Sequence, residues 1–198
     1  RRQAEDKLKE TTAFLDDIIE NSQDCIVVSN IKGYLTRVNK YFLELLGYKK
    51  EEVLGKHISE FTPLAEGTYE SVTGKFVEIN KKYFNDVMEK MSQMVEVGKL
   101  TNWMFHLVRK DGKLVPVEHN TTYLYNEKGE RVGAVGTLRD ITERVRSENI
   151  LRETKAFLDN IIESSLDCVI VTDGGGCLTR VNRYFLELLG YKEEEVLG

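Results

Sequence analysis

Three histidines, three cysteines and a few paired carboxylates carry most of the chemistry that the side chains of this 198-residue sequence could perform. An imidazole can exchange a proton near neutral pH, share a hydrogen bond or ligate a metal, so His57, His106 and His119 are weighed first. Nucleophilic or phosphoryl chemistry would need a recognisable setting. The sequence holds no G-x-S-x-G, no H-E-x-x-H, no phosphate-binding glycine loop and no kinase catalytic loop. Cys25, Cys168 and Cys177 form no C-x-x-C pair, and read as small apolar residues rather than metal ligands. The adjacent carboxylates Asp16/Asp17, Glu51/Glu52 and Glu194/Glu195 read as solvated helix faces. No catalytic residue and no metal site is expected. Tyr83, Phe84, Met88, Met91, Met94, Trp103 and Phe105 remain, and they either line a pocket for a small hydrophobic or aromatic ligand or fill a core.

Composition narrows the classes further. The formal net charge is −5, and Lys and Arg are scattered among Asp and Glu. That pattern lacks the electrostatic footprint of a nucleic-acid binder and offers no basic patch to a membrane. No apolar run approaches the ~20 residues of a bilayer span. Sparse, unpatterned cysteine fits a reducing compartment, so a cytoplasmic location is expected. The chain begins Arg1-Arg2 without Met and is read as a piece of a longer protein.

The sequence repeats itself at an offset of 154 − 11 = 143 residues. TTAFLDDIIENSQDCIVVSNIKGYLTRVNKYFLELLGYKKEEVLG at 11–55 returns as TKAFLDNIIESSLDCVIVTDGGGCLTRVNRYFLELLGYKEEEVLG at 154–198, and about 36 of 55 aligned positions are identical between 1–55 and 144–198. The expected organisation is a linker helix at 1–22, a complete domain at 23–143, a connecting helix at 144–166 and the start of a second domain at 167–198. That second copy should leave apolar residues uncovered.

The elements that must position the candidates follow from period and punctuation. Residues 3–22 are helical, Cys25–Ser29 and Tyr34–Val38 form a hairpin around Asn30–Gly33, and Asn39 caps a helix that Gly47 ends. Lys50–Leu54 adds a helical turn, and 56–78 shows no decisive period. The spacing of Ile79, Tyr83, Val87, Met91, Met94 and Val95 predicts a helix over 79–97. Three long strands follow at Thr101–Arg109, Leu114–Tyr125 and Arg131–Arg139, with a bulge expected near Pro116 because proline removes a ladder donor. A helix then runs from Asp140 to about Ser164. Five antiparallel strands with small helices on one face make an α+β domain, flanked by N- and C-terminal helices.

Three strings in this order resemble the PAS domain (sensory-box) family. NKYFLELLGYKKEEVLG at 39–55 is similar to its N-x-x-[FA]-x-x-[LM]-x-G-[YF]-x-x-x-E-[LV]-x-G pattern, RKDG at 109–112 to its central hairpin turn, and GTLRDITER at 136–144 to its last strand and D-I-[TS] signature. The resemblance implies a pocket between the inner face of the sheet and the small helices. Alternation puts Trp103, Phe105 and Leu107 on one face, as it does Val115, Val117, His119 and Thr121, then Ala134, Gly136 and Leu138; the resemblance turns these three sets inward, and all but Val115 and Ala134 are taken as pocket candidates. Phe42, Ile58, Tyr83 and Val87 join them as ligand-pocket candidates. Asp140, Ile141 and Thr142, at the junction of sheet and exit helix, are candidates for signal coupling, with Asp140 capping the helix.

Cofactors known in the family are tested residue by residue. Flavin photoreceptors resembling this fold carry a reactive Cys in G-x-N-C-R-F-L-Q; the matching string here is Gly55-Lys56-His57-Ile58-Ser59-Glu60-Phe61, with Ile58 at the Cys position. No cysteinyl adduct forms there, and flavin is disfavoured. Haem-binding members place a His on the long helix, which has none at 79–97, leaving His119 or His57 as weak haem candidates. The cofactor therefore stays open. The helix at 141–163 carries Ile141, Val145, Leu151, Leu158 and Ile162 near one stripe, interrupted by Glu148 and Lys155, which does not support a perfect heptad coil and fits either a two-stranded stalk in a homodimer or packing against the outer face of the sheet. The resemblance implies a sensory module that binds a small ligand or partner and relays the signal through its flanking helices to a separate output domain, a sensor histidine kinase first among the choices. A structural dimerisation spacer with a filled core and a haem-based redox or gas sensor are the alternatives.

Overall fold

The computed structural model describes residues 2–197. Arg1 and Gly198, which open and close the expected domains, lie outside the described residues. The chain divides into two compact units, Arg1–Val145 and Arg146–Gly198.

The first unit opens with α1 (Arg2–Glu20), followed by the hairpin strands β1 (Cys25–Asn30) and β2 (Leu35–Val38). Asn30 closes their turn, its Oδ1 accepting the backbone N–H groups of Lys32 and Tyr34. Helix α2 (Lys40–Leu46) starts at Asn39 and stops at Gly47, whose φ of 77° is the left-handed conformation that glycine reaches without a Cβ penalty. The short α3 (Lys50–Val53) and a 3-10 turn at Ile58–Phe61 follow. The region without a decisive period holds a small hairpin, β3 (Gly67–Glu70) and β4 (Phe76–Ile79). Helix α4 (Lys81–Val97) therefore begins later than its apolar spacing suggests. Asn80 caps it by accepting the Tyr83 N–H, and Ile79 is a buried strand residue rather than part of the helix face.

Strands β5 (Lys99–Val108), β6 (Leu114–Tyr125) and β7 (Arg131–Asp140) complete a five-stranded antiparallel sheet of order β2-β1-β7-β6-β5. First and last segments thus meet at its centre, β1 lying on β7. The expected bulge at Pro116 is absent: the register runs through His106↔Pro116 unbroken, and it shifts instead between Leu100 and Trp103. Proline is tolerated because its nitrogen faces the flank where β7 has just ended. The β6–β7 ladder closes at Val117↔Asp140, and the Pro116 carbonyl accepts the N–H of Ile141. The core lies under the inner face, where Phe42, Leu35, Leu46, Leu107, Val115, Val117 and Leu138 are fully enclosed.

Helix α5 (Thr142–Ser164) leads out of the sheet into the second unit. There β8 (Ile170–Thr172) pairs with β9 (Leu178–Val181), and α6 (Arg183–Leu189) and α7 (Glu193–Val196) follow. No helix among the described residues is long and apolar enough to cross a membrane.

Candidate functional site

On the inner face, alternation along β1, β6 and β7 brings Val27, His119, Thr121, Gly136 and Ala134 to one wall of a cavity of about 280 Å³. Met91 and Met94 from α4 form a second wall, and Ile58 with His57 closes a third beside the β1–β2 turn. His57 stands directly over Gly33, where a Cβ would approach its Nε2 to 2.5 Å. The ring is fixed edge-on to Tyr34, with centroids 5.4 Å apart, and its Nδ1 lies 2.7 Å from the Ser59 hydroxyl. Ile31, largely exposed, stands at the open end.

Six of the sequence-selected residues, Ile58, Met91, Met94, His119, Thr121 and Gly136, line this cavity. Five others, Phe42, Phe105, Leu107, Val117 and Leu138, sit within the closed core, and Trp103 packs against it. Trp103 stacks on Phe105 at 4.5 Å, and both rings flank His119. Tyr83 and Val87 stand apart from the cavity. Tyr83 instead accepts the N–H of His106 on its hydroxyl at 3.3 Å. This N–H points away from β6 on the outer strand β5, so the first turn of α4 guards a sheet edge. The helix enters the cavity about two to three turns later, at Met91 and Met94. Val27 and its neighbours on β1 were missed, although the alternation that selects β6 and β7 applies equally to β1 once it is known to pair with β7.

Burial sets the protonation chemistry. The His119 pKa is pushed down to about 4 by loss of hydration, so the ring is neutral, and its Nδ1 is buried without a partner. His106 is lowered for the same reason. The Cys25 thiol is pushed up to about 12, first by burial and then by the charges of Asp140 and Asp24, which makes it inert as a nucleophile or metal ligand. Among the described residues no group of His, Cys, Asp and Glu side chains could hold a metal ion.

The buried Asn39 does more than cap α2. Its Oδ1 accepts the N–H groups of Phe42 and Ile26, and its Nδ2 donates to the carbonyls of Ile19 and Asp24. One side chain therefore joins the end of α1, the start of β1 and the start of α2. At the same end of the sheet, Asp140 Oδ1 accepts the N–H and the hydroxyl proton of Thr142 at the first turn of α5. Ile141 and Thr142 are buried, and Arg144 reaches back to Glu118 on β6 at 3.2 Å. Cavity wall and helix cap thus share β7, Gly136 in one and Asp140 in the other.

Comparison with known proteins adds identity to this geometry. A family model described as PAS domain matches residues 23–143, and one described as PAS fold matches residues 156–198. Sporulation kinase C of Bacillus subtilis (strain 168) is 24% identical over 149 residues, covering 74% of this chain and 30% of the relative. Sporulation kinase A of the same organism is 27% identical over 172 residues, covering 83% of this chain and 25% of the relative. The chain therefore spans less than a third of these curated relatives. Among solved structures, the PAS domain of an HTR-like protein from Haloarcula marismortui is 27% identical with a TM-score of 0.51, covering 71% of this chain and all of that one.

Proposed function

The chain belongs to the PAS domain family, and from that premise we propose that residues 23–143 are a sensory module that binds a small molecule in the cavity. The occupant shifts β7, and the shift reaches α5 through Asp140, Ile141 and Thr142. The observation that carries this reading is the placement of cavity wall and helix cap on one strand, Gly136 and Asp140 both lying on β7. A strand paired on both sides moves with its neighbours, so a small displacement at Gly136 is passed along rather than absorbed. The bound and free states need differ only by the occupant's preference for one of them.

The surrounding organisation fits that role. We read 1–22 as a leading helix, 144–166 as a connecting helix and 167–198 as the start of a second module. The apolar residues Phe14, Leu15 and Ile18 of α1 are exposed, as are their repeats Phe157, Leu158 and Ile161 on α5. A homodimer formed through these flanking helices would cover them. By likeness to the sporulation kinases, the receiver of the signal is a histidine kinase domain elsewhere in the parent protein, and no catalysis is assigned to this stretch. Five selected residues lie in closed core, and this favours the spacer as the second reading.

Native mass spectrometry of freshly purified chain against its denatured mass separates the two readings. A defined extra mass, with hydrogen exchange in α5 that changes when it is removed, is the expected result. A clean apo mass with exchange in α5 indifferent to every candidate ligand would establish the spacer.

A further inference from the structure

Three polar side chains of the cavity wall, Ser29, His119 and Tyr123, make no side-chain hydrogen bond among the described residues, and of these only His119 holds a fully buried nitrogen without a partner. Thr121 donates its hydroxyl proton to the Val135 carbonyl at 3.0 Å, Asn30 Oδ1 accepts two backbone N–H groups, and His57 Nδ1 meets Ser59. His119 makes no side-chain hydrogen bond among the described residues. Its ring is held by Trp103 and Phe105, with Nδ1 buried. Nε2 is turned toward Gly136, where a methyl group would stand 2.9 Å away, so the missing side chain is what leaves this nitrogen uncovered. Nδ1 stays buried and unpartnered whatever fills the cavity, whereas Nε2 has no partner of its own and is the ring nitrogen that an occupant would satisfy.

We propose that the cavity takes a small, uncharged, largely apolar molecule of one or two rings that shares a hydrogen bond with His119 Nε2. This rests on the reading of 23–143 as a ligand-binding module. No Asp, Glu, Lys or Arg is among the lining residues, so a carboxylate or ammonium group would lose its hydration with no countercharge in return. Val27, Leu35, Ile58, Met91 and Met94 make the rest of the wall mostly apolar, with Ser29 and Tyr123 as further uncharged polar side chains. A volume of about 280 Å³ corresponds to roughly nine waters, which limits the occupant to one or two rings. A neutral imidazole can give or take the hydrogen bond, so the polar group of the occupant is a hydroxyl, a carbonyl or a ring nitrogen.

Phenol, toluene and benzoate test the three parts of the proposal on the full chain, by calorimetry and by NMR of nitrogen-15-labelled histidine rings. Phenol is expected to bind about ten-fold more tightly than toluene, the worth of one well-made hydrogen bond, and to move the His119 ring signals. Benzoate is expected not to compete. In His119→Leu, phenol and toluene should bind equally, with toluene binding retained. Gly136→Ala should also remove the advantage of phenol, because its methyl covers Nε2. Equal binding of phenol and toluene to the unmodified chain overturns the assignment to His119 and leaves the cavity reading intact. Preferred binding of benzoate overturns the uncharged class, again with the cavity reading intact. Failure of all three to bind a chain whose NMR spectrum is that of a folded protein overturns both.

Discussion

Residues 23–55 and 166–198 are one segment met twice, and the two copies differ in what surrounds them. Their caps and hairpin turns agree. Asn39 and Asn182 are both 0% exposed, and each accepts two N–H groups and donates to carbonyls of the preceding helix and loop. Arg37 pairs with Asp16 at 2.8 Å, and Arg180 with Asp159 at 2.7 Å. The helix stops, Gly47 and Gly190, have φ of 77° and 74°. The apolar faces do not agree. Cys25 is sealed and Cys168 is exposed; Val27 is 6% exposed and Ile170 is 51%; Leu46 is enclosed and Leu189 is 51% exposed. In the first copy β1 lies on β7 and the core is shared with β5 and β6. Among the described residues of the second copy, β8 pairs with β9 alone. Hydrogen-bonded caps and turns are thus written within a short segment, whereas burial, and with it any cavity, requires strands from the other end of the domain.

The contrast can be tested by making the same change in both copies and following the first through Trp103, the single tryptophan. Phe42→Ala empties a fully enclosed site and should destabilise the first unit by about 3–5 kcal/mol in urea unfolding, whereas Phe185→Ala should leave that transition within about 0.5 kcal/mol. Equal effects would mean that the second copy shares a core with the first. Asn39→Ala strands two N–H groups and two carbonyls and should cost about 3 kcal/mol in the same transition. Asn182→Ala should leave it unmoved and instead raise hydrogen exchange around Val169 and Phe185.

A pH series sharpens the role of the cavity wall, which only the first copy possesses. The folded His119 pKa of about 4 lies below the unfolded value of about 6.5, so the unfolded chain binds the proton first. The ring's contribution is therefore retained above pH ~6.5 and lost as pH falls through the window down to about 4, by an amount on the order of 2–3 kcal/mol. His119→Leu should flatten that slope, with the burial-lowered His106 and, at the acid end, the lowered Glu52 and Glu60 carboxyls supplying what remains. A slope unchanged by the substitution would place the titrating group elsewhere. The smallest expected effect is at the helix cap: Asp140→Ala removes the acceptor of the Thr142 N–H and should cost about 1 kcal/mol, with exchange rising in the first turn of α5.

Much of this architecture is legible in the sequence because its signals are local. Asn39 and Gly47 announce the ends of α2, alternation puts Trp103, Phe105 and Leu107 on one face of β5 while the family resemblance turns that face inward, and the repeat exposes the two copies. The β3–β4 hairpin was not legible, since its strands are short and mostly exposed and so carry no alternation. The division of inward residues between cavity and core was also hidden. Phe105 and His119 lie on the same face, and only the arrival of α4 decides which of them borders empty space. The start of α4 escaped because Ile79 continues the helical apolar spacing by accident of a strand that precedes it. Asn39 shows the same limit from the other side: its cap to Phe42 can be read from three residues, but its bond to Ile19 depends on how α1 ends.

The most direct test of this contrast uses the pair of cysteines at the same place in the two copies. Under native conditions a thiol reagent should modify Cys168 and Cys177 promptly, and Cys25 only on unfolding, as resolved by mass spectrometry of peptides from the 198-residue chain. Modification of Cys25 as fast as Cys168 would contradict a sealed first copy, and protection of Cys168 equal to that of Cys25 would contradict an open second one.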